Sequence, residues 1–199
     1  RISKILCWSH LCIEMVNKFY DVPDKKLFKV SAPILFTKFK MFPRKTPSRP
    51  NVLFIGRDFI RKGGDVLMKN SDKFLNNCNL TVVTEDRRAD VKNVNFYRTG
   101  INQNQILDLY RSHDILILPG VFDTFGLVLA EAASAGLTII TTKFVVGWRD
   151  IITNNETGFI TDTQEECIDV LTKLIKDPKK IDDLKIAAYN KMETEFTES

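Results

Sequence analysis

Two acidic side chains with seven residues between them, Asp123 and Glu131, could hold a ligand that carries both phosphate and hydroxyl groups. They belong to the stretch Pro119–Gly136, which reads PGVFDTFGLVLAEAASAG. The apolar run before it, Ile115–Leu118, predicts a buried strand that leads through a loop into a helix. Backbone N–H groups at the start of such a helix bind phosphates, and carboxylates on either side can accept hydrogen bonds from hydroxyl groups. The pattern therefore predicts a site for a nucleotide sugar.

A second candidate loop, Gly56–Gly64, also leaves a predicted strand and enters a predicted helix. Its glycines allow the backbone to approach a ligand closely, and Arg57 and Lys62 could neutralise a diphosphate. The loop has neither the GxxxxGK[ST] pattern of a P-loop nor the GxGxxG pattern of a dinucleotide site. Taken alone, it favours an ordinary loop between strand and helix whose bases are solvated.

The order acid, seven residues, glutamate, with Phe125-Gly126-Leu127 inside it, resembles the donor-site signature of glycosyltransferase family 4. The family has Glu at the first position, where this chain has Asp123. The resemblance implies that Asp123 contacts the transferred sugar, that Glu131 contacts the ribose hydroxyls, and that two bases bind the donor diphosphate. Those bases are Arg57 and Lys62. The resemblance also implies a set of donor-binding residues: Gly56, Arg98, Thr99, Thr124, Phe125, Gly126 and Leu127.

Strand and helix signals alternate along the chain after Pro50. Such alternation predicts an α/β fold with a Rossmann-like parallel sheet and helices on both of its faces. Ligands bind such sheets beyond the carboxyl ends of the strands, where both candidate loops would lie. The predicted strands are Asn51–Ile55, Leu80–Thr84, Val94–Tyr97, Ile115–Leu118, Thr138–Thr141 and Gly158–Ile160. The main predicted helices are Asp65–Leu75, Gln103–His113, Phe125–Ala135, Gln164–Lys176 and Ile181–Phe196.

The resemblance also implies a domain organisation, in which this chain is the C-terminal half of a GT-B fold. Residues 51–199 would form the nucleotide-sugar (donor) binding domain, and residues 27–50 would form a first strand and a linker. Residues 1–26 would be a remnant strand and helix of an N-terminal acceptor domain that is missing here, with Ser9 capping the helix. We therefore expect the chain on its own to transfer no sugar.

Composition narrows the class of protein. A hydrophobic fraction of 44% and a charged fraction of 27% in 199 residues are typical of a soluble globular protein. Runs of about 20 apolar residues, as a membrane-spanning helix needs, do not occur in the sequence. The four cysteines form no CxxC motif and only two histidines accompany them, so we predict reduced thiols and no zinc site. No DxD motif is present, which agrees with the metal-independent chemistry of the family. We expect no cofactor, no nucleic-acid partner and a cytoplasmic location.

The segment Leu35–Phe42 interleaves aromatic residues with bases, and Arg44 and Lys45 follow it. One interpretation is a hinge between two domains, with the aromatic rings packed on the second domain. The other is peripheral attachment to a membrane surface, because bases near anionic lipid and aromatic rings both favour the interface. Both interpretations stay open at this point.

The resemblance, together with the two candidate loops, implies the donor-binding half of a retaining glycosyltransferase. The parent enzyme would move a hexose-like sugar from a UDP or GDP carrier to a glycan or lipid-linked acceptor. Two alternatives share the architecture, a sugar-nucleotide epimerase and a phosphorylase. An epimerase would need no acceptor, and a phosphorylase would carry a lysine-bound pyridoxal phosphate. A third alternative is a non-catalytic nucleotide-sugar-binding subunit, which the Asp at position 123 favours.

Overall fold

The structure is a computed structural model that describes residues 3–30, 39–40, 43–86, 91–98 and 100–196. Its first part is a small parallel sheet of two strands, β1 (Ile5–Cys7) and β2 (Leu27–Lys29), joined by helix α1 (His10–Tyr20). The Ser9 hydroxyl accepts a hydrogen bond from the Cys12 backbone at 3.1 Å and so caps α1. Every residue of α1 is at least partly exposed.

The rest of the described chain forms one parallel sheet of six strands, in the order β5-β4-β3-β6-β7-β8. The strands Ile115–Leu118 and Thr138–Thr142 are buried along their length because helices cover both faces of the sheet. The predicted α/β fold with a parallel sheet is confirmed. The strands are β3 (Asn51–Ile55), β4 (Asn79–Val83), β5 (Val94–Tyr97), β6 (Ile115–Leu118), β7 (Thr138–Thr142) and β8 (Gly158–Thr161). The helices are α2 (Gly64–Lys69), α3 (Gln103–Ser112), α4 (Leu127–Ser134), α5 (Trp148–Ile151), α6 (Gln164–Leu174) and α7 (Pro178–Phe196).

Several predicted helix boundaries differ from the observed ones, and three of these differences are informative. Helix α4 begins two residues later than predicted because Gly126 adopts a left-handed conformation, with φ 70° and ψ 57°, which ends regular helix geometry there. Helix α2 stops at Lys69 and is followed by a short 3₁₀ turn, Ser71–Lys73, instead of continuing to Leu75. Helix α7 starts at Pro178, since proline is well tolerated at the first helical position.

A buried ion cluster joins the linker to the amino end of β6 and to α7. The carboxylate of Asp114 accepts hydrogen bonds from Arg44 Nη2 at 2.9 Å, from Lys185 Nζ at 3.1 Å and from the backbone N–H of Asn51 at 2.9 Å. The same ammonium group of Lys185 donates to the Arg44 carbonyl at 2.5 Å. Arg44 therefore belongs to the interior contacts of the domain.

The basic and aromatic segment is described only in part, because residues 35–38, 41 and 42 lie outside the described residues. Phe39 is buried and meets the ring of Tyr110 edge-on, with 5.8 Å between the ring centroids. Phe39 and Arg44 both pack on the six-stranded domain, which supports the hinge interpretation. Within the described residues, no helix combines the length and the apolar composition that a membrane crossing requires.

Candidate functional site

The strand order of the large sheet reverses between β3 and β6. The chain runs from β3 outward through β4 to β5, then returns to place β6 on the other side of β3. In open parallel sheets, the crevice at the carboxyl ends of two such strands is the usual place for a ligand. The loops that leave β3 and β6 here are Gly56–Gly63 and Pro119–Gly126. These are the two loops that the sequence marked as candidates.

Hydrogen bonds and close packing hold the two loops against each other. The N–H of Val121 donates to the Arg61 carbonyl at 3.0 Å, and Arg61 Nη1 donates to the Phe122 carbonyl at 2.8 Å. Gly63 has a φ of 79°, and a Cβ atom placed there would lie 2.0 Å from the Pro119 carbonyl oxygen. A side chain at position 63 would therefore push the loops apart.

Lys62 and Asp123 meet where the loops converge. Lys62 Nζ donates a charge-assisted hydrogen bond to Asp123 Oδ2. The two side chains are only 14% and 15% exposed. The backbone of Asp123 is fixed on both sides, because its N–H donates to Phe144 and its carbonyl accepts from Val146, each at 3.1 Å. The sequence predicted both residues as site residues but gave no sign that they bind each other.

Arg57 lies at the start of the loop after β3, and its side chain meets Glu85, which follows β4. The Arg57 side chain is 84% exposed, and its Nε lies 3.0 Å from Glu85 Oε1, whose side chain is 56% exposed. Gly56 precedes it, buried, with its N–H bonded to the Val83 carbonyl at 2.9 Å.

Beside Arg57 is a cavity of about 280 Å³, lined by residues that include Ile55, Thr84, Arg98, Gly100 and Ile106. Arg98 donates to the Asp86 carbonyl at 2.7 Å and lies 4.8 Å from the centroid of the Phe96 ring. Thr99, a predicted donor-binding residue, lies outside the described residues.

Glu131 occupies a partly buried position on α4. Burial raises the pKa of its carboxyl group, and a hydrogen bond from the Tyr110 hydroxyl, at 2.9 Å from Oε2, acts in the opposite direction. Burial likewise raises the pKa of Tyr110 well above its ordinary value. Tyr110 was not predicted as a site residue. Its position four residues after Ile106, on the same face of α3, places it next to the cavity wall.

The residues at the start of α4 differ in exposure. Phe125 and Gly126 are buried, whereas Thr124 and Leu127 are exposed. The Phe125 carbonyl lies against Gly147, where an added Cβ atom would come within 1.7 Å of that oxygen. The first turn of α4 thus stands at the carboxyl edge of the sheet, with the N–H groups that a helix start leaves without intrahelical partners.

Metal-binding geometry is not found in the part of the chain that the structure describes: no three His, Cys, Asp or Glu side chains are grouped to hold an ion. The four cysteines are free thiols, and burial raises the pKa of Cys78 and Cys167 to about 12.

Known proteins that resemble this chain include several glycosyltransferases. The sequence model of the family described as "Glycosyl transferases group 1" matches residues 37–191. The chain is 29% identical over 141 residues to the lipopolysaccharide glucosyltransferase WaaG of Escherichia coli K12, covering 62% of this chain and 37% of that protein. It is 26% identical over 144 residues to the D-inositol 3-phosphate glycosyltransferase of Xylanimonas cellulosilytica, covering 64% of this chain and 34% of that protein. The chain thus spans about a third of the length of these curated relatives.

Solved structures share the fold over nearly the whole chain. A crystal structure of WaaG, a glycosyltransferase involved in lipopolysaccharide biosynthesis, superposes with a TM-score of 0.79 at 22% identity, covering 97% of this chain and 59% of that one. A structure of Anabaena HepE in complex with UDP and glucose gives 0.74 at 15% identity, covering 98% and 59%. The C-terminal domain of a group 1 family protein, LpcC from Francisella tularensis, gives 0.67 at 20% identity, covering 82% and 98%.

Proposed function

This chain belongs to the family of glycosyl transferases group 1, and we propose that it forms the nucleotide-sugar-binding part of a retaining, metal-independent enzyme of family 4. The parent protein would transfer a hexose-like sugar from a UDP- or GDP-sugar to a glycan or lipid-linked acceptor. One observation carries the proposal: Lys62 and Asp123 converge from two loops at the point where the strand order reverses. A base, an acid and a helix start then share one crevice, as a diphosphate joined to a sugar requires.

The two bases would bind the diphosphate and stabilise the charge that develops on it as the sugar leaves. Arg57 pairs with Glu85 at an exposed position, and exposed ion pairs contribute about 0–1 kcal/mol, so a phosphate can replace Glu85 at little cost. Lys62 is held deeper in the crevice and keeps further N–H donors beyond the one that Asp123 engages. Phosphate oxygens would also accept hydrogen bonds from the backbone N–H groups of Phe125–Leu127, which lead into α4.

Glu131 would accept hydrogen bonds from the ribose hydroxyls. The Tyr110 hydroxyl engages Oε2, which fixes the orientation of the carboxyl group and leaves Oε1 as an acceptor for the ligand. The cavity beside Arg98 and Ile106 would then receive the base, because Ile106 and Tyr110 lie one turn apart on α3. In the proposed complex, Asp123 lies next to the sugar.

Similar proteins support the choice of ligand and acceptor. HepE, one of the structural neighbours, was solved with UDP and glucose, and TarM, another, was solved with UDP. Among sequence relatives, WaaG is named for a glucosyl transfer to lipopolysaccharide, which supports a hexose and a lipid-linked acceptor. The LpcC structure is a C-terminal domain, which supports the proposal that residues 51–199 are one too and that the acceptor residues lie elsewhere in the parent protein.

Thermal-shift screening tests the proposal. The chain would be melted with UDP, GDP, UDP-glucose, UDP-N-acetylglucosamine and GDP-mannose, with uridine and guanosine as phosphate-free controls. A ligand that binds the folded chain raises the melting temperature by mass action. We expect a rise with one nucleoside diphosphate and its sugar, a smaller one with the nucleoside, and no change on adding EDTA. Loss of the shift in Glu131→Gln would locate it at α4. A chain that no member of the panel stabilises would refute the donor assignment.

A transfer assay separates the domain proposal from the binding proposal. The 199-residue chain, given the donor that stabilises it and an acceptor, is expected to transfer no sugar. An appreciable rate from this chain alone would show that the acceptor site lies within it. Conversion of the sugar without an acceptor would instead support an epimerase.

A further inference from the structure

We propose that Asp123 competes with the nucleoside diphosphate for the ammonium group of Lys62, and that this competition promotes release of the diphosphate after the sugar has been transferred. The inference rests on the proposed function, since it concerns the leaving group of that reaction. It assigns Asp123 a role in addition to contact with the sugar.

The competition follows from how tightly the acid is placed. Asp123 has a short side chain, and its backbone is bonded on both sides to the segment Phe144–Val146. Lys62 is fixed in the same way, because its N–H donates to the Asp58 carbonyl at 3.0 Å and Gly63 follows against Pro119. Neither backbone can move away from the other without breaking these contacts. The contact between Lys62 and Asp123 is therefore built into the crevice.

The charges of the crevice show what a diphosphate meets on arrival. Lys62 and Arg57 each have an acid partner, Asp123 and Glu85, so the four side chains together carry no net charge. A phosphate that approaches Lys62 comes close to the carboxylate of Asp123, and like charges in a partly desolvated site repel strongly. Glu85 repels much less because water surrounds it.

The presence of the sugar determines whether the Asp123 carboxylate or the phosphate binds the Lys62 ammonium group. An intact nucleotide sugar offers Asp123 hydroxyl donors, so the carboxylate has a second partner and Lys62 is shared with the phosphate. After transfer the hydroxyl donors leave with the acceptor, and the carboxylate returns to Lys62 while the phosphate is still bound. Asp123 thus weakens binding of the free diphosphate more than binding of the donor.

The test is the affinity of the chain for UDP, GDP and inorganic pyrophosphate, measured by titration calorimetry on wild type and Asp123→Asn. Asn has the shape of Asp and keeps the backbone contacts, but it carries no charge. We expect Asp123→Asn to bind the diphosphate that wild type binds about three- to tenfold more tightly, with the gain diminishing at high salt. Pyrophosphate reports on the phosphate contacts without any contribution from the base.

Four further variants make the measurement specific. Glu85→Gln removes the same charge at the exposed pair and is expected to change the affinity less than twofold. Asp123→Glu keeps the charge and is expected to retain the wild-type affinity within about twofold. Asp123→Asn is also made in a chain that carries Lys62→Met. There it is expected to raise the affinity for the diphosphate by no more than half as much, on a logarithmic scale, as it does in the wild-type chain. Melting curves recorded beforehand establish that each variant is folded.

Each result of these titrations either supports or overturns the proposed competition. Weaker binding in Asp123→Asn would show that the acid positions Lys62 for the phosphate and would overturn the competition. Unchanged binding would show that Asp123 acts on the sugar alone, and would also overturn it. If neither wild type nor Asp123→Asn binds any of the three probes, both the competition and the proposed function fail. If wild type binds and Asp123→Asn does not bind more tightly, the competition alone fails.

Discussion

One aspartate precedes strand β6 and another follows it, and the two differ in burial and in the number of their hydrogen-bond donors. Asp114 immediately precedes the strand, is fully buried and accepts hydrogen bonds from two bases and a backbone N–H. Asp123 lies in the loop after the strand, where water still reaches it, and pairs with one base, Lys62. Both are aspartates beside bases, yet one pair is enclosed by the linker and α7 and the other opens to a crevice.

The difference between the two ends shows what separates a structural ion pair from a ligand site. A fully buried carboxylate with several donors is out of reach of a ligand, and removing a partner leaves an uncompensated charge. A carboxylate and an ammonium group at an open edge keep donors and acceptors for an incoming molecule. In this fold the carboxyl edge of the sheet is the open one, as expected where the strand order reverses.

The largest effect is expected from the matched changes Asp114→Asn and Asp123→Asn, which remove one charge at each end of β6. Asp114→Asn should lower the free energy of unfolding by about 3–5 kcal/mol, because Lys185 is then buried beside a neutral group. Asp123→Asn should lower it by about 1 kcal/mol, the value for an ordinary hydrogen bond, since the amide oxygen still accepts from Lys62 and water is near. Urea denaturation measures both. Equal losses would contradict the division into a closed and an open end.

The next effect concerns binding and should appear only at the open end. Lys62→Met should weaken UDP or GDP binding by about 1.5–3 kcal/mol, the range for charge-assisted hydrogen bonds, and Arg57→Ala by a similar or smaller amount. Uridine or guanosine should bind both variants as they bind wild type. Calorimetry gives these values, and Arg149→Ala, a change at a solvent-exposed base on α5, serves as the control. A loss that is equal for nucleoside and diphosphate would mean that the bases do not contact phosphate.

Much of the fold was predictable because a parallel sheet covered on both faces needs continuous apolar strands. Ile115–Leu118 was identified with its observed bounds for this reason. The start of α4 was not, because Gly126 adopts a left-handed conformation and has no room for a side chain beside Val145, which comes 19 residues later. Sequence periodicity contains no information about such a contact.

The candidate site was predictable as two loops but not as a set of contacts. The carboxyl ends of parallel strands lie at one edge of the sheet, which predicts that the two loops meet there but does not specify which side chains pair. The bond between Lys62 and Asp123 spans 61 residues of sequence, and that between Tyr110 and Glu131 spans 21. The buried cluster at the closed end was missed because Arg44 and Lys185 occur in basic or amphipathic segments, where bases are usually exposed.

A smaller effect is expected from Tyr110→Phe, which removes the hydroxyl that holds Glu131. It should lower the free energy of unfolding by about 0.5–1.5 kcal/mol. The hydrogen bond from Tyr110 lowers the pKa of Glu131 and burial raises it, so this change should raise that pKa further.

The pH dependence gives a readout that a packing defect would not produce. If ribose hydroxyls donate to the Glu131 carboxylate, UDP affinity falls as pH falls through its raised pKa. The fall should occur at higher pH in Tyr110→Phe than in wild type, and should be absent in Glu131→Gln. Folding stability has the opposite sign, because a buried acid with a raised pKa loses stability as pH rises from 4.5 to that value. Identical pH profiles for the three proteins would remove Glu131 from the site.

The smallest effect is expected at the ion pairs of a third aspartate, Asp150 on α5. Here the acid is buried but its basic partners are exposed, so the contribution of each kind of burial can be told apart. The Asp150 side chain is only 2% exposed, yet its partners His10 and Lys29 are 63% and 34% exposed. His10 Nδ1 lies 2.5 Å and Lys29 Nζ 2.9 Å from the same oxygen, Oδ1. His10→Ala should lower the free energy of unfolding by about 0.5 kcal/mol or less, because Lys29 remains in place and water reaches the site. A loss near that of Asp114→Asn would mean that burial of the acid, and not enclosure of the whole pair, determines its contribution to stability.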